Sequence, residues 1–149
     1  MSAPSRLDPA IDQRVRASIS RQTMLTTLGV SLLSLAPGRA ELGLQRRADL
    51  CQQHGFIHAG ALTALVDSAC GYAALTLFPV DRDVLTVDFS VSLVAPAAQE
   101  TFVAVGSVVR SGRTLTTCRG EVLGVTEDGA RKVVALMQAT MMAVSTMSD

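Results

Sequence analysis

QQHGFIHAGALTALVDSACGYAAL, residues 52–75, decides the fold. Both histidines of the chain, His54 and His58, stand just before an apolar run, and one carboxylate, Asp67, interrupts that run. Leu62, Leu65, Val66, Ala69, Ala73 and Leu77 recur at helical spacing and predict a stripe buried against a sheet. Gly60, Ala64, Ser68, Gly71 and Leu75 form a second face, whose small side chains let another backbone approach closely. A helix apolar on two sides needs cover on two sides, from a sheet and from a second subunit. The helix is expected from about His58 to Leu77, closing at Phe78-Pro79.

Asp67 lies between these faces. A carboxylate taken out of water is costly unless it is paired or used. It is therefore either a structural acid bonded to nearby backbone or a general base or nucleophile with a tuned pKa. The helix start offers a second chemical feature. The N–H groups of Ala59, Gly60 and Ala61 are expected to be free there and, with the helix dipole, to favour an oxyanion. His58 and Asp67, nine residues apart, are separated by about 13.5 Å along a helix and cannot meet on one small group within one chain. Two such helices packed antiparallel across a two-fold axis would bring Asp67 of one to the start of the other, making two sites per dimer.

Outward from this helix, Leu7, Ile11, Val15 and Ile19 recur every four residues and predict an amphipathic helix over roughly Pro9 to Thr27. GVSLLSLAPGRAELGLQ reads as two short strands about a Pro37-Gly38 turn. DVLTVDFSVSLVAP alternates Leu85, Val87, Phe89, Val91 and Leu93 against polar residues, a long half-buried strand. TFVAVGSVVR, TLTTCRGEVLGVT and KVVALMQATMMAV follow, and their short connectors predict an antiparallel meander of hairpins. Two helices and six strands imply an α+β layer, a curved antiparallel sheet around one long central helix, with an extra N-terminal helix.

The 149 residues fit one domain, 1–149, with 1–27 as a helical extension. Thirteen Lys and Arg balance thirteen Asp and Glu, and there is no Trp and one Tyr, so neither charge nor stacking side chains favour nucleic acid. Cys51, Cys70 and Cys118 contain no CxxC pair, which disfavours a disulfide framework and a zinc site and suits a reducing compartment. Cys70 and Cys118 are expected in the core or an interface, because no basic partner flanks them. No signal-peptide pattern or membrane-length apolar run is present, and a cytoplasmic location is expected.

His58-Ala59-Gly60-Ala61-Leu62, followed by Leu65-Val66-Asp67-Ser68-Ala69, resembles the HGG…xxD segment of hotdog-fold acyl-CoA thioesterases, in the phenylacetic-acid-degradation (PaaI-like) branch. Thr86-Val87-Asp88-Phe89-Ser90 and Leu93-Val94-Ala95-Pro96-Ala97 look like that family's next strand. The similarity spans roughly Leu42 to Val144. It implies that Asp67 is the general base or nucleophile and that the Ala59 N–H polarises the thioester carbonyl. His58 fixes the helix start, Gln52 orients water or substrate, and Thr86 places a hydroxyl near the acid. Gly55 matches a loop glycine, and Gly60 joins it as a substrate-side position. Arg110 and Arg113 flank a hairpin that resembles the one near the nucleotide of coenzyme A, where arginine can pair with phosphate. Ala59 stands where the family has Gly, and Gln52 where many members have Asn.

The resemblance implies hydrolysis of acyl-CoA to acid and CoA, with coenzyme A as part of the substrate and no separate cofactor or metal. An obligate homodimer, assembling as a dimer of dimers, is expected. Two alternatives remain at this point: a hydratase or dehydratase of acyl thioesters, and a non-catalytic acyl-CoA-binding module. The first would carry a different histidine motif in Pro-rich context; the second has no use for Asp67. Tyr72, Leu75 and Phe89 are candidate acyl-tunnel residues.

Overall fold

In the computed structural model, which describes residues 5–148, the helix of interest is α3, Ala59–Leu75. Ahead of it come α1 (Pro9–Arg21), α2 (Thr23–Leu28), β1 (Ser31–Ala36) and β2 (Arg39–Gln45). After it come β3 (Arg82–Leu93), β4 (Thr101–Ser111), β5 (Leu115–Val125) and β6 (Arg131–Ser145). The six strands form one antiparallel sheet in the order β1-β2-β4-β5-β6-β3. α3 lies across it, packed on β4, β2, β5, β3 and β6. This is the expected curved sheet around a central helix, and it is the hotdog fold. Residues 1–4 of the expected N-terminal extension, and residue 149, lie outside the described residues.

The helix sits on glycines. A Cβ at Gly106 of β4 would fall 2.3 Å from the Ala69 carbonyl carbon and oxygen, and one at Gly120 of β5 would fall 2.5 Å from Val66 Cγ2. Glycine at these two strand positions therefore lets the helix backbone approach the sheet directly. Leu62, Leu65, Val66, Ala69 and Ala73 are fully buried in that contact, as the periodicity predicts. Leu77 is not. It is 42% exposed because the helix ends at Leu75 and the chain turns, with Leu77 N–H bonding Ala74 O and Phe78 N–H bonding Leu75 O.

Pro37-Gly38 makes the β1–β2 hairpin, with Gly38 at φ +72° in the second central position. The Gly38 N–H donates to the Thr76 hydroxyl, which itself donates to Ala73 O, so the turn is tied to the end of α3.

Three further expectations fail. The N-terminal helix is broken: Gln22 separates α1 from α2 with φ −80° and ψ 98°. The meander is incomplete, because β3 pairs with β6 and not with β4. The Leu93-to-Thr101 connection contains Pro96, which has no N–H to give a ladder, and its carbonyls serve other segments. Ala97 O accepts from Ile57 N–H, and Glu100 O from Arg46 N–H. Finally, β3 does not keep one alternation. A bulge between Thr86 and Asp88 shifts its register against β6. Thr86 is opposite buried Met141, whereas beyond the bulge Phe89 is opposite buried Ala139 and Val91 opposite buried Met137. Thr86 therefore shares the helix-facing side with Phe89, Val91 and Leu93, and Leu85 lies on the other side.

Arg14 locks α1 to the end of α3. Its guanidinium donates to Pro79 O at 2.6 Å, Leu75 O at 2.8 Å and Phe78 O at 3.3 Å, a cation on terminal carbonyls.

Candidate active site

Asp67 is half-buried on α3, where the helix faces β3. The Thr86 hydroxyl donates to Asp67 Oδ1 at 2.8 Å. The Met141 thioether is also within reach of that hydroxyl at 3.4 Å, but the charged oxygen is the nearer and stronger acceptor. The bulge after Thr86 is what turns this hydroxyl toward the helix. Burial raises the Asp67 pKa above the ordinary aspartate range, and the Thr86 hydrogen bond pulls it part of the way back. The carboxylate borders a cavity of about 160 Å³ lined by Ser18, Gln22, Ser68, Gly71, Tyr72, Val84 and Thr86. An ionisable group with a displaced pKa at a cavity wall is suited to proton transfer or nucleophilic attack.

His58 is the N-cap of α3. Its Nδ1 accepts from the Gly60 N–H at 2.8 Å, which places the imidazole hydrogen on Nε2 when the ring is neutral. A Cβ at Gly60 would come within 3.0 Å of that Nδ1, so glycine gives the ring room to close on the helix end. Ala61 N–H is taken by His58 O. The expectation of three free donors is thus corrected: His58 consumes two, and Ala59 N–H alone has no acceptor among the described residues. Gly60 shapes the cap and does not offer its own N–H.

Gln52 closes its own turn. Its Oε1 accepts from His54 N–H and its carbonyl from Gly55 N–H. Gly55, at φ +84°, needs glycine for that turn, and its carbonyl accepts from the Arg46 guanidinium. Arg110 and Arg113 are exposed at the β4–β5 end and do not line the Asp67 cavity. Leu75 is in the core and Phe89 is 44% exposed on β3; of the three tunnel candidates only Tyr72 borders the cavity.

Burial pushes the Cys118 thiol up to about 11 and raises Cys70 further, and Cys118 Sγ lies 3.6 Å from Cys70 O, so both remain protonated core side chains. No group of three or more His, Cys, Asp or Glu among the described residues could hold a metal ion. No helix there is long and apolar enough to cross a membrane.

Three cavity residues are not singled out by the sequence: Val84 of β3, and Ser18 and Gln22 from the N-terminal segment. Gln22 Nε2 donates to Tyr72 Oη at 3.0 Å, and Ser68 Oγ donates to Gln22 Oε1 at 3.3 Å. The signal for Gln22 is a slip in apolar phase. Ile19 ends a four-residue rhythm, and buried Leu25 and Leu28 resume out of step with it.

The family model of the thioesterase superfamily matches residues 54–129, from the turn before the His58 cap through Asp67 to the β5–β6 hairpin. This chain belongs to the thioesterase superfamily. Among solved members of this superfamily, a thioesterase family protein from Silicibacter pomeroyi is 43% identical, with a TM-score of 0.88 over 91% of this chain and 99% of that one. The PaaI protein of the phenylacetic acid degradation operon of E. coli shares the fold, with 21% identity and a TM-score of 0.83 over 95% of this chain and 99% of that one. A Halobacterium salinarum protein named as a candidate esterase is 30% identical over 106 residues, 68% of this chain and 70% of that protein. Superfamily membership makes thioester hydrolysis the general activity of this sequence class.

Proposed function

We propose that this thioesterase-superfamily chain hydrolyses acyl-CoA thioesters to a free acid and CoA, with Asp67 activating the attack. The observation that carries the reading is the Asp67 carboxylate itself. It is half-buried at a cavity wall, held by Thr86, and raised in pKa, in the middle of a helix that otherwise buries apolar side chains. As a base, Asp67 takes a proton from water while the oxygen attacks the thioester carbonyl carbon. As a nucleophile, it forms a mixed anhydride that water then opens. In either route the C–S bond breaks, and the departing sulfur takes up a proton.

The carbonyl oxygen needs a donor, and the free Ala59 N–H at the positive end of α3 suits it. Ala59 and Asp67 are eight residues apart, about 12 Å along one helix. The reading therefore requires a homodimer in which Asp67 faces Ala59 of the partner subunit. β3 supports it: a twelve-residue edge strand with Val87, Phe89 and Leu93 at 54%, 44% and 46% exposure is a surface fit to pair with its own copy. Within this proposal His58 holds the cap that aims Ala59, and Gly55 and Gln52 shape the loop before it. Arg110 and Arg113 supply cations for coenzyme A phosphates, and a dimer of dimers is the assembled form. Coenzyme A arrives as part of the substrate, and the reading calls for no separate cofactor. The reaction takes place in the cytoplasm.

CoA release from short, medium, long and aryl acyl-CoAs tests the reading, with wild type beside Asp67→Asn. Loss of about 10² to 10⁴ in rate is expected from removing such a group. Sedimentation of both proteins should give the same assembly. Retained hydrolysis in a dimeric Asp67→Asn would move the chemistry off this carboxylate, and tight acyl-CoA binding without turnover by the wild type would make the chain a binding module.

A further inference from the structure

Gln22 breaks a helix that its neighbours would continue. From Ala10 to Leu28 there is neither proline nor glycine, and glutamine is itself a good helix former. The break leaves the residue's backbone satisfied, with Gln22 N–H on Ile19 O and Gln22 O accepting from Leu25 N–H, each at 3.1 Å. What it accomplishes is to bring the side-chain amide onto α3, between Ser68 and Tyr72, at the wall of the Asp67 cavity.

The hydrogen bonds around that amide do not close. Gln22 Oε1 accepts from Ser68, and one Nε2 hydrogen goes to Tyr72 Oη; the second has no acceptor among the described residues. Apart from Gly71 and Val84, every side chain of the lining is polar. At about 160 Å³ the cavity compares with the roughly 150 Å³ that accommodates one benzene ring, so it has room for the end of a short acyl group and not for the coenzyme. Gln22 is half-buried, so a plain hydrocarbon end seated there would displace water from the spare donor and give it no partner, whereas an end carrying an oxygen would satisfy it.

We infer that Gln22 is a specificity-determining residue, and that the acyl group this site takes is short and carries a hydrogen-bonding oxygen at its far end. This rests on the acyl-thioester reading above.

The test compares valeryl-CoA with 4-hydroxybutyryl-CoA, which differ by a hydroxyl in place of the terminal methyl. Wild type should favour the hydroxylated substrate in kcat/KM by about tenfold, the factor for one hydrogen bond made or lost. Gln22→Met, which keeps the length and loses the donors, should bring the ratio to about one. Gln22→Asn, which withdraws the amide by one methylene, should do the same and serves where the methionine variant does not fold. A general structural loss would lower both rates and leave their ratio alone. Equal rates in wild type, or an unchanged ratio in the variants, would overturn the inference while leaving the thioesterase reading intact. Hydrolysis of neither thioester, nor of any other acyl-CoA, would overturn both.

Discussion

Replacing Gly106 with alanine tests whether the helix backbone really rests on the sheet and whether that seat sets the active-site geometry. The new Cβ would lie 2.3 Å from Ala69 C and O and 2.5 Å from Cys70 N, all of them backbone atoms that cannot rotate aside. Cβ atoms essentially never come within 3.0 Å of such neighbours, so α3 must rise by at least about 0.7 Å at this point. Overpacking of this kind costs about 1–3 kcal/mol. In a chain of 149 residues that corresponds to a fall of roughly 2–12 °C in Tm. The shift occurs two residues from Asp67, whose bond to Thr86 is 2.8 Å long, and a misplacement near 1 Å can reduce a rate about 10²-fold. Thermal unfolding by circular dichroism and acyl-CoA hydrolysis on the same sample give both readouts. Gly71→Ala is the internal control: nothing lies within 4 Å of its added Cβ, and alanine is the better helix residue by about 1 kcal/mol. Its Tm should hold or rise. A Gly106→Ala protein that melts with the wild type would refute the close seat of helix on sheet.

Thr86→Val removes the interaction that pulls the Asp67 pKa down, so that pKa should climb further. Because the working form is the carboxylate, the acid limb of the kcat/KM profile should move to higher pH; an unmoved limb would mean that the rate does not report Asp67. Arg14→Met keeps the aliphatic stem and removes the cation from three carbonyls at the end of α3. A loss of about 2 kcal/mol is expected for hydrogen bonds made by a charged group, or a Tm lower by roughly 4–8 °C, and a melt within a degree of wild type would show that Arg14 does not hold the N-terminal helix in place.

The central helix was legible because its apolar stripe is long and its signal does not depend on distant partners. Leu62, Leu65, Val66, Ala69 and Ala73 are buried as their spacing requires. What the sequence hid is non-local or balanced. The pairing of β3 with β6 depends on a connection whose carbonyls are claimed by Ile57 and Arg46, far away in the chain. The bulge at Val87 is invisible because Val84 and Leu85 fit either face equally well, so the alternation reads smoothly through a register slip. At the helix start, His58 announced that it fixes the end of the helix, but not that its ring would take the Gly60 donor. Gln22 was hidden by its own helix propensity, and only the lost phase after Ile19 marked it.

Asp67 also carries a stability signature whose sign is fixed by the structure. Its folded pKa is raised, chiefly by burial, relative to an unfolded value near 3.9. Below the unfolded value both states are protonated and the acid costs the fold nothing. As pH rises through the unfolded value, the open chain ionises first, which favours unfolding. The penalty grows until pH passes the folded pKa and then stays constant. Asp67→Asn never ionises, so at neutral pH it should be at least as stable as the wild type, while the stability difference between the two should shrink as pH falls below the ordinary aspartate range. Urea unfolding of both proteins across that range measures this directly. A variant less stable than wild type at neutral pH, with the difference vanishing in acid, would mean that the ionised carboxylate supports the fold. Asp67 would then be a structural acid, and a drop in activity on its removal would no longer identify a catalytic group. If the variant is the more stable protein and the poorer enzyme, the fold is retaining a charge that works against its own stability, and catalysis is the use that accounts for it.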